Sequence, residues 1–479
     1  MSTTTDPIRS AGAAPSAADR PSWGALGVLL AGIFITTLDF FIVNVAIPSV
    51  QLGLHAGPAA VQFVVAGFGL AYAAGLITGG RLGDLHGRRR MFRVGLGVFT
   101  VASAACGLAP TPGVLIAARV LQGLGAALLS PQVLAILNVV YTGRHRTAAF
   151  NAFGLAMGFG GVFGQLIGGV LIQADIAGLG WRSIFLINVP IGVLAMALAG
   201  RLVPESGASG GARLDLTGTV LVSLGLVAIV LPLVQGQQQG WPLWTWLCLA
   251  AAVPLLAGFV LHQRRTGDRG GSPLVDLAMF RQRAFSAGVA IGLVYALTTA
   301  SFFLVLALYL QQGHGLSALG SGLVFLPLGL GYFVSSSKAG QVAARLGRQV
   351  LAAGGLIVAV GYLILAVTAE EIGATGAVAW LVPGLLIAGA GMGLVMAPLP
   401  ATVLAGVRQE HAAAASGVLN AAQQAGGAIG VALVGVVFYR TLGSLGGLAG
   451  AFSISELVLA GIGVAVACLV QLLPKAATG

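Results

Sequence analysis

Long apolar runs, each broken after some twenty residues by a charged or Pro/Gly-rich joint, follow one another from Trp23 to the carboxy terminus. A run of about 20 residues crosses the hydrocarbon core of a bilayer as one helix, and in lipid only helices and closed barrels satisfy all their backbone groups. Charged residues make up 8% of the chain, against roughly 25% in soluble domains, which excludes an ordinary soluble globular protein. Hydropathy predicts helices near 24–47, 59–80, 91–110, 112–140, 148–172, 183–203, 215–235, 243–263, 284–311, 318–340, 349–368, 378–404, 412–439 and 454–473. The expected fold is therefore an all-α polytopic membrane protein with fourteen transmembrane helices.

Residues 1–22 are small, polar and proline-punctuated, the composition of a disordered tail. The stretch from Trp23 to Val50 is too long for a secretory h-region of about 7–15 residues, so it reads as an uncleaved first helix. An even helix count puts both termini on one side. With that side cytoplasmic, Arg119 falls inside a helix, Arg182 and Arg440 lie near outer ends, and the rest of the 24 Lys and Arg residues are inside, as the positive-inside rule requires. Trp181, Trp241, Trp244, Trp246 and Trp380 fall at outer ends, where an aromatic belt belongs. The net charge of +11 is then a topology signal, and no nucleic-acid partner is expected.

Other chemistries are excluded by what the chain lacks. Its three cysteines stand in apolar runs with no CxxC pair, and no HExxH or clustered ligand set is present, so no metal site is expected. Both lysines, Lys338 and Lys475, are followed by alanine, so the ATP-binding sequence GxxxxGK[ST] cannot be written. No cofactor and no enzymatic site are expected, and any transport by such a chain must draw on a gradient.

An internal repeat is visible. GRLGDLHGR (Gly80 to Arg88) and GQVAARLGR (Gly340 to Arg348) each follow an apolar helix, and the glycine-rich segments GLGAALLSP and GMGLVMAP recur in the same order. The second copy lacks the acid of Asp84. Repeats of this kind are common in secondary transporters, and predict an amino-terminal six-helix bundle at 23–203, two inserted helices within 204–270 and a second bundle at 271–479.

Of the 13 acids, Asp39 alone is expected well inside an apolar helix. Such a group faces a cavity, has a partner or is protonated, though an Asp bracing a neighbouring helix is the plainer alternative. Arg119 is the one basic residue expected in a helix interior. Counted from the outer ends, the two lie at similar depth, so a pairing that ties the protonation of Asp39 to access is open; so is an Arg119 that snorkels to the headgroups. Gln122 shares the helical face of Arg119. Asn44, Gln122, Asn151, Gln165, Asn420, Gln423 and Gln424 are candidates to line a cargo cavity or to join helices by hydrogen bonds. Gly160, Gly164 and Gly168 form a small-residue stripe for close helix approach.

These residues resemble the major facilitator superfamily, and within it the fourteen-helix drug/proton antiporter branch. LDFFIVNVAIP (Leu38 to Pro48) is similar to that branch's first-helix motif, and GRLGDLHGRRR (Gly80 to Arg90) to the superfamily's loop between helices 2 and 3. RVLQGLGAA (Arg119 to Ala127) is similar to the helix 4 motif, and WRSIFLINVPIG (Trp181 to Gly192) to the segment leading into helix 6. The resemblance implies two bundles rocking about a central cavity and exporting hydrophobic small molecules such as antibiotics or dyes while protons enter. By position, Asp39 would bind the proton, Arg119 would modulate it, and Gly80, Gly83, Asp84, Gly87 and Arg88 would form the inner gate. The implied protein is a monomer of the inner (cytoplasmic) membrane, with lipids, protons and cargo as its partners. GGVFGQLIGG (Gly160 to Gly169) departs from the branch by carrying Gln165 where a proline is expected. A lone embedded acid implies low proton stoichiometry. An uptake symporter of the same fold is the alternative.

Overall fold

The computed structural model describes residues 23–206, 215–236, 239–271, 273–405, 407–408, 411–442 and 447–474; the expected tail at 1–22 lies outside them. The chain begins with α1 (Trp23–Leu54), α2 (Pro58–His86), α3 (Arg88–Gly107), α4 (Pro112–Val140) and α5 (Gly143–Ala174). The short α6 (Ser183–Leu186) leads into α7 (Asn188–Leu202), followed by α8 (Leu216–Gln235) and α9 (Leu243–Asp268). Then come α10 (Arg283–Leu308), α11 (Ala318–Val324), α12 (Leu326–Leu346), α13 (Gln349–Ile372), α14 (Val382–Met396), α15 (Pro398–Leu404), α16 (Ala412–Leu442) and α17 (Gly447–Val470).

Each of the fourteen expected segments is helical, but fewer meet a length-and-apolarity test for membrane crossing. Among the described residues 12 helices do, and up to 13 if α5, bent by 42° between Gly161 and Phe163, counts as one span. The segment that falls short is α3, because Arg88, Arg89, Arg90 and Arg93 crowd its first turns.

Several helices run past their expected ends. The residues Gly80 to His86, expected in a loop, continue α2, and the chain turns at Gly87 alone, with φ +96°. An interior glycine costs a helix only about 1 kcal/mol, so Gly80 and Gly83 do not stop it; Gly87 does, because its backbone is in a region that L side chains rarely adopt. The second copy of the repeat behaves alike: α12 runs to Leu346 and breaks at Gly347, φ +55°. Helix α1 continues to Leu54, so Asp39 sits near its middle, deeper than a helix ending at 47 implies.

Helix α17 starts at Gly447 rather than near 454, which carries Glu456 into the helix interior at 0% exposure. Asp39 is therefore not the only embedded acid, and the expectation of a lone one is corrected. Starts elsewhere have ordinary causes. Thr111 caps α4 through the Val114 N–H ahead of Pro112, and Asp215 caps α8 through the Gly218 N–H at 2.8 Å.

Helices α1 to α7 pack mainly among themselves, as do α10 to α17. The two groups meet where α2 lies along α16 and α5 along α12. The inserted α8 leans on both α2 and α16, with the Ser223 hydroxyl donating to the Ala74 carbonyl at 2.8 Å.

Candidate functional site: a buried carboxylate network and a helix-end latch

Asp39 on α1 and Arg119 on α4 form an ion pair with both side chains almost wholly buried. Taking two charges out of water costs several kcal/mol per ion, recovered only if the remaining donors and lone pairs are met. Here they are met by name. Gln122 and Asn188 both donate to Asp39 Oδ1, at 2.8 and 3.0 Å, and Arg119 takes Oδ2. The Arg119 guanidinium also donates to the Gln122 amide oxygen at 2.7 Å and to the Val64 carbonyl of α2 at 3.0 Å. Ser103 on α3 receives Gln122 at 2.6 Å. The Phe68 ring lies 4.5 Å from the guanidinium carbon, close enough for a cation–π contact. Arg119 thus turns inward, and the snorkelling alternative does not describe it.

The glycine stripe of α5 seats the helix that carries the acid. A side chain at Gly160 would meet Thr37 and Leu38, one at Gly164 would meet Phe41, and one at Gly168 would meet Ile42. The backbone flanking Asp39 is held against α5 by these three positions, while its carboxylate points into the polar network.

The amides expected in a cargo cavity are placed unevenly. Gln122 is a correction: at 0% exposure, with both ends of its amide used around Asp39, it lies inside the helix group. The Asn44 side chain lies outside the described residues. Asn151 packs against Gly340, where α5 meets α12. Gln165 is buried where α5 faces α11. Asn420, Gln423 and Gln424 are half-buried on α16, and the Gln423 stem faces Gly292 of α10. The structure does not bring Asn151, Gln165, Asn420, Gln423 or Gln424 into the Asp39 network. Asn188 and Ser103 belong to it and escaped the sequence reading. Asn188 carried the same signal as Gln122, a lone amide in an apolar stretch; a serine carries none.

The gate residues meet at the arginine-rich ends of the helices. The Asp84 carboxylate accepts from the Ala413 and Ala414 N–H groups, at 3.4 and 3.0 Å, at the start of α16. A helix amino terminus exposes unpaired N–H groups and favours negative charge. Arg88 holds the other side of Asp84, with a 2.7 Å contact to Oδ1. Gly80 permits the approach, since any side chain there would strike the Ala413 carbonyl, and Gly83 makes room for Gln132. Beside Gly87, Glu205 accepts from the Arg89 N–H at 3.0 Å. The first helix group is thereby clasped to the second at this end.

Residues 29–431 match the model of the Major Facilitator Superfamily. The chain belongs to this superfamily. Among curated relatives, this transporter is 41% identical to a probable actinorhodin transporter of Streptomyces coelicolor, over 88% of this chain and 73% of that one. It is 38% identical to a puromycin resistance protein of Streptomyces alboniger, over 88% and 82%. Its fold is shared with a human organic anion transporter, with a TM-score of 0.69 at 14% identity, covering 94% of this chain and 100% of that one.

Proposed function

We propose that this transporter is a proton-driven exporter of the fourteen-helix drug/proton antiporter branch, moving hydrophobic or amphipathic small molecules such as antibiotics or dyes across the cytoplasmic membrane. The observation that carries the reading is the buried Asp39 carboxylate, bonded by Arg119 and Gln122 of α4 and Asn188 of α7. The relatives named for actinorhodin transport and puromycin resistance support the class of cargo.

In this reading α3 is the fourteenth span, the arginine-rich ends face the cytoplasm, and the bundles 23–203 and 271–479 rock as a monomer about the seam between them, with 204–270 inserted. A proton arriving at Asp39 removes the negative charge that Arg119 and the two amides gather around, so α1 is released to shift along the α5 glycine stripe. The Asp84 clasp on α16 holds the cytoplasmic side shut while the other side is accessible. In this reading Asn420, Gln423 and Gln424 on α16 and Gln165 on α5 offer hydrogen bonds to cargo.

The test is export of a panel of lipophilic dyes and antibiotics from energised vesicles, comparing the wild type with Asp39→Asn, with and without a protonophore. Loss of export under either treatment supports the reading. Export that survives both removes proton coupling through Asp39, and accumulation in place of depletion favours an uptake symporter.

A further inference from the structure

The second helix group carries a buried acid with a different environment. Glu456 lies inside α17 at 0% exposure, and neither carboxylate oxygen has a hydrogen-bond partner. Among the described residues, the elements packed against α17 bring no counter-charge into hydrogen-bond contact with it. Tyr362 on α13 and Tyr295 on α10 are buried, and their hydroxyls have no hydrogen-bond partner either. Glu370, at one end of α13, is engaged by Ser453 at 2.8 Å, and Arg348, at the other, by the backbone carbonyls of Gln471 and Leu473. His314 packs on Tyr309 beyond α10, and Arg440 lies in the last turn of α16. None of these bonds the Glu456 carboxyl.

The first group holds its acid with an arginine and two amides, whereas the Glu456 carboxyl of the second has no hydrogen-bond partner. On α12 the Tyr332 hydroxyl donates to the Gly154 carbonyl of α5, across the seam between the groups.

A carboxylate charge without a partner at this depth costs several kcal/mol, whereas the neutral acid is far cheaper to bury. We propose that Glu456 is a second proton-binding carboxyl, which loses and regains its proton when movement of the helices packed on α17 admits water to it. The bond broken and remade is the O–H of the acid; the proton goes to the admitted water and returns from it. Asp39 changes state against a built-in cation, while Glu456 does so only when that movement gives it access. The coupling ratio that follows rests on the exporter reading; proton binding at Glu456 does not.

Infrared difference spectroscopy of the purified protein tests the binding directly. A neutral-carboxyl band absent from Glu456→Gln, kept in Asp39→Asn, and titrating between about pH 5 and about pH 10 is the expected result. A band assigned to Glu456 that keeps its amplitude across that range overturns the proposal. If Glu456→Gln fails to assemble, Glu456→Asp carries the same readout: a displaced band that titrates supports the site and an invariant one removes it.

Proteoliposomes loaded with ethidium, a monovalent cation, test the ratio, expected to fall from about two protons per ethidium to about one in Glu456→Gln. A membrane potential alone then drives export by the wild type and not by the variant, while a pH gradient drives both. Equal response of both proteins to potential overturns the second site. Wild-type protein that moves no ethidium counts against the exporter reading, and the infrared titration then decides Glu456 by itself.

Discussion

Asn188 donates to Asp39 Oδ1 at 3.0 Å across 149 positions of sequence, tying α7 to the middle of α1. It shares that oxygen with Gln122 and is itself fully buried. Removing one partner of a buried hydrogen bond costs about 1–3 kcal/mol. Asn188→Leu is expected to lower the thermal unfolding temperature of the detergent-solubilised protein and to displace the pH profile of dye export, while Asn188→Gln restores part of both. An unchanged pH profile would make Asn188 a packing residue only.

Arg119 serves three acceptors from one planar fork, Asp39, Gln122 and the Val64 carbonyl, which a lysine cannot reproduce. Leaving Asp39 buried without its cation costs about 3–5 kcal/mol. Arg119→Leu alone is therefore expected to be severely destabilised, and the double variant with Asp39→Asn to regain much of the loss without regaining export. Thermal melts of the two single variants and the double measure this; additive losses would mean that the pair is not energetically coupled.

The Asp84 clasp on the start of α16 combines charge with two N–H donors, a contact worth about 1–2 kcal/mol, or roughly a five- to thirtyfold bias toward closure of that end. Asp84→Asn is expected to increase the open population by that factor. Spin labels at Arg90 and Arg345, both exposed near the arginine-rich ends, would show a longer-distance component growing in the variant. Identical distance distributions would mean that the helix packing at Gly80 closes this end unaided.

Asp215 sits just ahead of α8 with its carboxylate reached by the Gly218 N–H, the Gln263 amide at 2.7 Å and the His262 ring at 2.8 Å. Burial pushes its pKa up, but these three partners together hold it below the ordinary aspartate value. A carboxyl depressed in the folded state contributes stability in full above its unfolded value of about 3.9, and that contribution fades as the pH falls through the folded one. Cooling of the melting temperature between about pH 6 and about pH 3 should thus be steeper in the wild type than in Asp215→Asn. Parallel slopes would count against the network.

Much of this was legible because lipid forces a simple grammar: helix positions follow from apolar runs, and an embedded Asp39 and Arg119 ask for partners. The boundaries were less so. Nothing in RLGDLH breaks a helix, so α2 absorbs the motif up to Gly87. The small residues Gly447 to Ser455 are only mildly apolar, so a hydropathy window starts the last helix late and leaves Glu456 looking like a terminal residue. Depth counted from an assumed helix end misplaced Asp39, although the pairing with Arg119 was one of the two readings left open. Gln122 was assigned to a cavity because sequence gives its helical face but not which side of the bundle that face meets.

Ser223 fastens α8 to α2 by a side-chain bond to the Ala74 carbonyl, while α8 meets α16 by packing. In the proposed rocking cycle, parting of the two bundles at the arginine-rich end would leave the inserted helix carried by one of them and peeling away from the other. The stripe laid bare on α16 must be coated by acyl chains, which enters the energy of the cycle as a lipid solvation cost. In that cycle bilayer thickness and tail order would become regulators of the turnover rate, acting through the inserted helices.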